Sequence, residues 1–206
     1  MNKISPPEPL HSGHDTSGFD CGQAALNEFL QQHALDKQNA MLSRTYIVTN
    51  VATAEAVAED LRTASDARVI GYYTLTHAVV PQTDAPKKLG RGMPSSIPVL
   101  LMARFAVDRG FQGQGLGRSL FTDAIRRTWA VMKSGAAPVR FFIVDAKDET
   151  AKAFYERFDM IPAPENALRW YLSYKTLRQL FEETSEERIS AASSGVFEGE
   201  CNFFGL

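Results

Sequence analysis

The sequence predicts one α/β (α+β) domain in which helices pack against a mixed, mostly antiparallel sheet. Three observations predict it. Apolar residues recur with a helical period in three segments. Short β-branched and aromatic runs separate them. The second half of the chain reads strand, glycine loop, helix, strand, helix, strand, without an internal repeat.

Each element follows from its own residues. In "ALNEFLQQHALDKQ", Leu26, Phe29, Leu30, His33 and Ala34 share one helix face, with Asp20 or Gly22 as its start. "RTYIVTN" is a short strand, and "VATAEAVAEDLRTASDA" is a polar excursion before the next one. "RVIGYYTLTHAVV" is a long strand whose Gly71 marks a bulge. "PQTDAPKKLGRGMPSSIP" is a Pro/Gly/Ser-rich loop. "VLLMARFAV" is almost continuously apolar, which predicts a strand buried on both faces. "RSLFTDAIRRTWAVMKSG" is a helix with Leu120, Ala124, Ile125 and Trp129 inward and Gly135 as its stop. "VRFFIVDA" is a second buried strand, "DETAKAFYERF" a short helix, and "ALRWYLSYKTL", with Tyr171 and Tyr174, an alternating strand. The domain is expected over 1–180. An acidic extension, mobile or packed by its last residues, is expected over 181–206.

The chain has 206 residues, 44% of them apolar and 22% charged, as in soluble globular proteins. No run of 18 apolar residues predicts a membrane span, and the first residues lack the apolar core of a secretory signal, so a cytoplasmic protein is expected. Cys21 and Cys201 give neither a disulfide framework nor a metal-ligand spacing, and no metal is expected. Cys21 reads as a small buried residue rather than a nucleophile. From Lys87 to Arg140 ten basic residues face only Asp108 and Asp123, whereas from Phe181 onward Arg188 alone opposes six glutamates. Such a basic middle suits a polyanion, although charge counts alone describe a solvated face equally well.

The stretch "DRGFQGQGLGRS" carries Gly113, Gly115 and Gly117 at the mouth of a helix. Bare backbone there lets loop amides and the positive helix end point at an anion, with Arg109 and Arg118 adding charge. The spacing is neither a Walker loop nor a full dinucleotide fingerprint. It does match the Gln/Arg-x-x-Gly-x-Gly/Ala loop of the GNAT superfamily of acyl-CoA-dependent N-acetyltransferases. The match runs from Gln112 to Gly117 and follows a strand ending in "FAVD". Downstream, "DETAKAFYERFDMIP" resembles that family's Asn-x-x-Ala-x-x-Phe/Leu-Tyr-x-x-x-Gly-Phe segment. Asp148 stands at the Asn position, Ala151, Phe154 and Tyr155 fit, and Asp159 and Met160 replace Gly-Phe.

The resemblance spans roughly residues 3 to 178 and implies a GNAT fold with splayed central strands. It implies that Gln112, Gly113, Gln114, Gly115, Leu116, Gly117 and Arg118 hold the pyrophosphate of acetyl-CoA, the cosubstrate. Phe105, Ala106 and Val107 would pair with the pantetheine arm. Asp148 and Phe154 complete the implied cofactor site, and Tyr155 is the implied acid for the leaving thiolate. The chemistry agrees, because a phenol is protonated at neutral pH and a backbone N–H near Val107 suits an oxyanion.

The acceptor is an amine that must be neutral to attack. "VLLMARFAV" contains no carboxylate, Asp108 coming only at its end. A lysine amine, with pKa about 10.4, needs strong help, and an α-amine, about 8 or lower, needs little. The sequence therefore leans to an α-amine, with Glu28 or His77 as alternative bases. "GFDCGQAALNEFLQQHALDKQNAMLSRTYIV" resembles the N-terminal block of acetyltransferase toxins from bacterial toxin–antitoxin modules. That resemblance implies acetylation of aminoacyl-tRNA, a block of translation, a ribbon-helix-helix antitoxin as partner and, from the wider family, a homodimer. Arg44, Lys87, Lys88, Arg91 and Arg104 are then candidate contacts to the tRNA phosphates. Two other readings remain: acetylation of a small amine or protein N-terminus, and a non-catalytic acyl-CoA-binding module.

Overall fold

The computed structural model describes residues 3–51, 68–135 and 137–183. The apolar runs form a twisted sheet in the order β1-β3-β4-β5-β6-β8-β7, with β2 also paired to β3. Here β1 is Lys3–Ile4, β2 Glu8–Pro9, β3 Arg44–Val51, β4 Val69–Pro81, β5 Ser96–Val107, β6 Phe141–Asp145, β7 Ile161–Pro162 and β8 Arg169–Ser173. Only β5 and β6 run parallel among these pairs, so the sheet is mixed and mostly antiparallel.

The proline-rich loop is shorter than its composition suggests. β4 and β5 pair from Gly71↔Val107 to Pro81↔Ser96, leaving only a 3-10 turn (Gln82–Asp84) and the short helix α3 (Lys87–Gly90) between them. Gly71 does sit beside a bulge, because Val48 and Thr49 oppose Gly71 and Val69 and Ile70 is the extra residue.

Helices cover both faces. One face carries α1 (Ala24–Glu28), a π turn (Phe29–His33) and α2 (Ala34–Asn39), which bury Phe29, Leu30 and Ala34 against Ile47, Tyr72 and Ala106. The π turn adds a residue to the expected period, so His33 faces solvent and Ala34 takes the core position. The opposite face carries α4 (Leu116–Ser134), which buries Leu120, Phe121, Ala124, Ile125 and Trp129 and ends on a left-handed Gly135. Beside it lie α5 (Glu149–Tyr155) and α6 (Tyr174–Arg178).

The last predicted strand is thus cut short. Ser173 ends β8 and caps α6 by accepting from Thr176 N–H, so Tyr174 belongs to a helix. The chain past residue 180 stays on the domain as far as it is described. Phe181 stacks on Trp129 at 6.2 Å, and Glu182 reaches Arg178 and Lys133. The polar excursion at 52–67 and the acidic extension beyond Glu183 lie outside the described residues. No helix among the described residues is long and apolar enough to cross a membrane.

Candidate active site

β5 changes character half-way along. Val99 to Met102 pair with β4 on one side and with Phe141 to Val144 of β6 on the other. Thr74 then opposes Arg104 while Leu75 opposes Met102, so Ala103 is an extra, bulged residue. Beyond it β5 stays on β4 but leaves β6, and the sheet opens. Asp108 N–H donates to Ile70 O (2.9 Å), so the pleat turns the N–H and C=O groups of Phe105 and Val107 toward the opening. The prediction of a strand buried on both faces therefore holds only to Met102, and Arg104 is exposed.

A cavity of about 770 Å³ fills the gap. Of the cofactor residues expected from sequence, Phe105, Ala106, Val107, Gln112, Gly113, Gly115, Gly117, Arg118, Asp148 and Phe154 line it, together with Tyr155. Gln114 and Leu116 do not. Leu116, the first residue of α4, turns its side chain into the core, and Gln114 turns its side-chain amide to Gly110 O (2.9 Å). The cavity also takes in Ala151, a position of the downstream motif, and Cys21, Gln23 and Leu26 from the N-terminal segment with Lys147, Thr150 and Arg157 around α5, which were not among the expected site residues. Lys147 and Arg157 are two cations in the site, and their only sequence signal was their place beside Asp148 and Tyr155.

The glycine loop is shaped for an anion. Gly113 (φ +73°) and Gly115 (φ +84°) are left-handed, and a Cβ on either would meet nothing within 4 Å, so the space above them is open. Gly115 is the N-cap of α4, which starts at Leu116, two residues before the predicted Arg118, and the N–H groups of Leu116 and Gly117 have no preceding turn to donate to. At Gly117 an added Cβ would meet the Phe105 ring at 3.6 Å, an ordinary contact, so the helix start does not depend on glycine there. Arg109 does not join this cradle, being ion-paired with Asp20 at 3.1 Å.

Tyr155 closes the other end. The residue is 5% exposed, held between Phe121 (5.2 Å) and Phe154 (5.3 Å). Its hydroxyl has no hydrogen-bond partner among the described residues. Burial, with the Asp145 carboxylate adding to it, pushes its pKa above the ordinary value, so the group stays protonated. α5 is fixed at its start by Asp148, which accepts from Ala151 N–H (2.8 Å) as an N-cap. That bond lowers the Asp148 pKa and occupies its carboxylate, as does Lys147 at 3.3 Å. At the far end Asp159, which stands at the motif's Gly position, adopts a left-handed backbone (φ +53°), and Met160 is buried where Phe is usual.

Among the described residues no carboxylate is poised as a base: Asp148 is the only acid of these that lines the cavity, and Asp108 is occupied by Gly110 N–H (3.0 Å) and Asp20 N–H (3.2 Å). Glu28 is not in the lining, and His77 lines a separate 210 Å³ pocket with Arg44, at the other end of β4. Arg104 lies near the site, 5.2 Å over the Phe29 ring. Lys87, Lys88 and Arg91 lie around α3, at the end of the β4–β5 hairpin opposite the cavity. Elsewhere, Glu8, His11 and His14 bring ligand-type atoms within 4.8 Å. The Nδ1 atoms of His14 and His11 accept from His11 N–H and Gly13 N–H (3.1 and 3.0 Å), so those two nitrogens serve the local turn.

The description "Acetyltransferase (GNAT) domain" matches residues 56–159, half of the chain. The chain belongs to the GNAT acetyltransferase family. A tRNA-acetylating toxin of Mycobacterium tuberculosis is 33% identical over 180 residues, 87% of this chain and 98% of that protein. A probable toxin TacT of Sinorhizobium fredii is 29% identical, covering 84% and 93%. Among solved structures, a tyrosine-to-phenylalanine mutant of KacT superimposes with a TM-score of 0.75 at 29% identity, covering 88% of this chain and all of that one. AtaT in complex with acetyl-methionyl-tRNA superimposes with a TM-score of 0.73 at 28% identity, covering 87% and 99%. The splayed β5–β6 pair and the glycine loop are thus the GNAT arrangement, and the protein is an acetyl-CoA-dependent N-acetyltransferase.

Proposed function

We propose that this GNAT enzyme acetylates the α-amino group of aminoacyl-tRNA and acts as the toxin of a toxin–antitoxin pair. The observation that carries the choice of acceptor is the absence of a poised carboxylate from the described cavity wall. Such a site favours an amine that is already largely neutral near pH 7–8, as an α-amine esterified beside an electron-withdrawing carbonyl is. The tRNA-acetylating relative and the AtaT complex with acetyl-methionyl-tRNA support the same reading. Structures of AtaT with the C-terminus of the antitoxin AtaR support a neutralising partner.

In this reading the loop amides from Gly113 to Arg118 hold the pyrophosphate, and the open edge at Phe105 pairs with the pantetheine arm. The Val107 N–H, turned into the gap, stabilises the oxyanion formed when the amine adds to the thioester carbonyl. The C–S bond then breaks. Tyr155 gives its proton to the departing thiolate and recovers one from the ammonium of the adduct, leaving amide and free thiol. Arg104, Lys147 and Arg157 supply positive charge at the cavity for RNA phosphates, whereas Arg44, Lys87, Lys88 and Arg91 reach only a more distant part of a long RNA.

Incubation with radiolabelled acetyl-CoA and a charged tRNA pool tests the reading. Label is expected on the aminoacyl group, released from tRNA by mild base as N-acetylamino acid. Label confined to protein N-termini or small amines overturns it.

A further inference from the structure

The cavity has two walls that belong to different parts of the chain. One is the β5 edge with the glycine loop. The other is the N-terminal segment, with Cys21, Gln23 and Leu26. One side chain bonds to both of them. Gln112 Nε2 donates to Val107 O (2.8 Å) on the edge and to Cys21 O (3.1 Å) on the facing wall. The other ties between these regions hold the preceding residue: Asp20 N–H donates to Asp108 Oδ2, Arg109 N–H to Asp20 O, and Arg109 pairs with the Asp20 carboxylate. From Cys21 onward the wall is held by Asn27, whose Oδ1 accepts from Cys21 N–H (3.0 Å) and from the Cys21 thiol (3.1 Å), by Tyr72, whose hydroxyl donates to Leu26 O (2.8 Å), and by Gln112, whose bond to Cys21 O reaches it from the glycine loop.

We propose that Gln112 is a positioning residue for the acceptor: its side-chain amide sets the distance between the Cys21–Leu26 wall and the Val107 edge where the amine must attack. Both known contacts of its Nε2 are backbone carbonyls, so its side-chain donors serve the wall rather than the pyrophosphate. Because it also tethers Val107 O, it leaves the Val107 N–H as the group presented to the gap. Loss of the amide loosens the acceptor wall while the loop amides at 113–118 remain in place. A small misplacement of the amine is enough to slow transfer, since attack depends on a near-attack geometry. The proposal rests on the aminoacyl-tRNA reading for its choice of acceptor, but the position of the wall is measured independently of it.

The test uses the full chain with Cys201→Ser, so that Cys21 is the only thiol. Gln112→Met keeps the length and removes both donors, and Gln112→Arg restores two donors. In Gln112→Met the KM for charged tRNA is expected to rise five- to tenfold, with kcat within threefold and the calorimetric Kd for acetyl-CoA within twofold. Alkylation of Cys21 by iodoacetamide, slow in the parent because the thiol is buried and its pKa raised, is expected to quicken at least fivefold. Gln112→Arg is expected to reverse both changes. Acetyl-CoA affinity falling as far as the acceptor KM rises would assign the side chain to the cofactor and overturn the proposal. So would unchanged KM and alkylation. If the parent acetylates no charged tRNA, the acceptor reading fails alone, and the alkylation rates still decide the clamp.

Discussion

The two halves of β5 share one strand and one composition, yet they differ in neighbours. Val99, Leu100 and Met102 are buried between β4 and β6, Leu100 and Met102 in the core beneath α4, whereas Phe105, Ala106 and Val107 have β4 on one side and a cavity on the other. The first half contributes a core. The second half keeps apolar side chains but leaves its outward N–H and C=O groups without a strand, and such an edge is satisfied by a ligand or by water. One bulged residue, Ala103, separates a structural strand from a functional one.

The sharpest way to break this contrast is at the end of the open half. Tyr155→Phe removes a hydroxyl and leaves the ring packed against Phe121 and Phe154, so stability and acetyl-CoA Kd are expected within a factor of two of the parent. Turnover is expected to fall by about 10²–10⁴, the range of a positioned general acid. The pH profile carries the same test. A raised phenol pKa keeps the acid protonated past its ordinary value of about 10, so kcat/KM should rise as the acceptor amine loses its proton and then stay level to about pH 9.5. A descending limb between pH 8 and 9 would remove Tyr155 from the role.

A matched pair of truncations sharpens the comparison. Leu100→Ala falls in the sealed half, where the side chain is 4% exposed, and is expected to cost about 2–5 kcal/mol in urea unfolding with little change in kcat/KM of the folded enzyme. Phe105→Ala falls in the open half, where the ring is only partly buried and stacks on Phe154 at 5.7 Å. It is expected to cost less stability, about 1–2 kcal/mol, and to weaken acetyl-CoA about tenfold. Equal stability losses with equal affinities would mean that the two halves are one core.

The sealed half was legible in the sequence and the open half was not, for a physical reason. "VLLM" and "FFIV" are apolar without alternation, which announces burial on both faces. "RFAV" continues the same composition, and only pairing that sequence does not encode locally shows that β6 has departed. The glycine loop and Tyr155 were legible because they form motifs with fixed spacing. Cys21, Gln23 and Leu26 were not, because they reach the cavity across more than eighty residues through the bonds of Gln112 and Asp108. The π turn at Phe29–His33 escaped periodicity for a related reason. One inserted residue is invisible in a pattern of three and four until tertiary packing shows that His33 has turned outward. Asp159 shows the converse, since a residue that departs from the motif's glycine still adopts a left-handed backbone, which Asp tolerates.

The smallest expected effect lies where β6 ends. Asp145 and Arg169 face each other across β6 and β8 and form a two-pronged pair, Nε to Oδ1 at 2.7 Å and Nη2 to Oδ2 at 2.8 Å. The pair fixes the last residue of β6 on the side away from β5, so it is the obvious candidate for holding the gap open. Its carboxylate is nevertheless 44% exposed, and exposed pairs contribute about 0–1 kcal/mol. The backbone does more: Ala146 N–H donates to Leu168 O (2.7 Å), and four further registered pairs join the strands. Arg169→Met is therefore expected to lower the melting temperature by no more than about 2–4 °C, less at high salt, and to leave acetyl-CoA affinity within threefold. If the affinity collapses while the melting temperature holds, the splay of the strands depends on this one pair rather than on the bulge at Ala103.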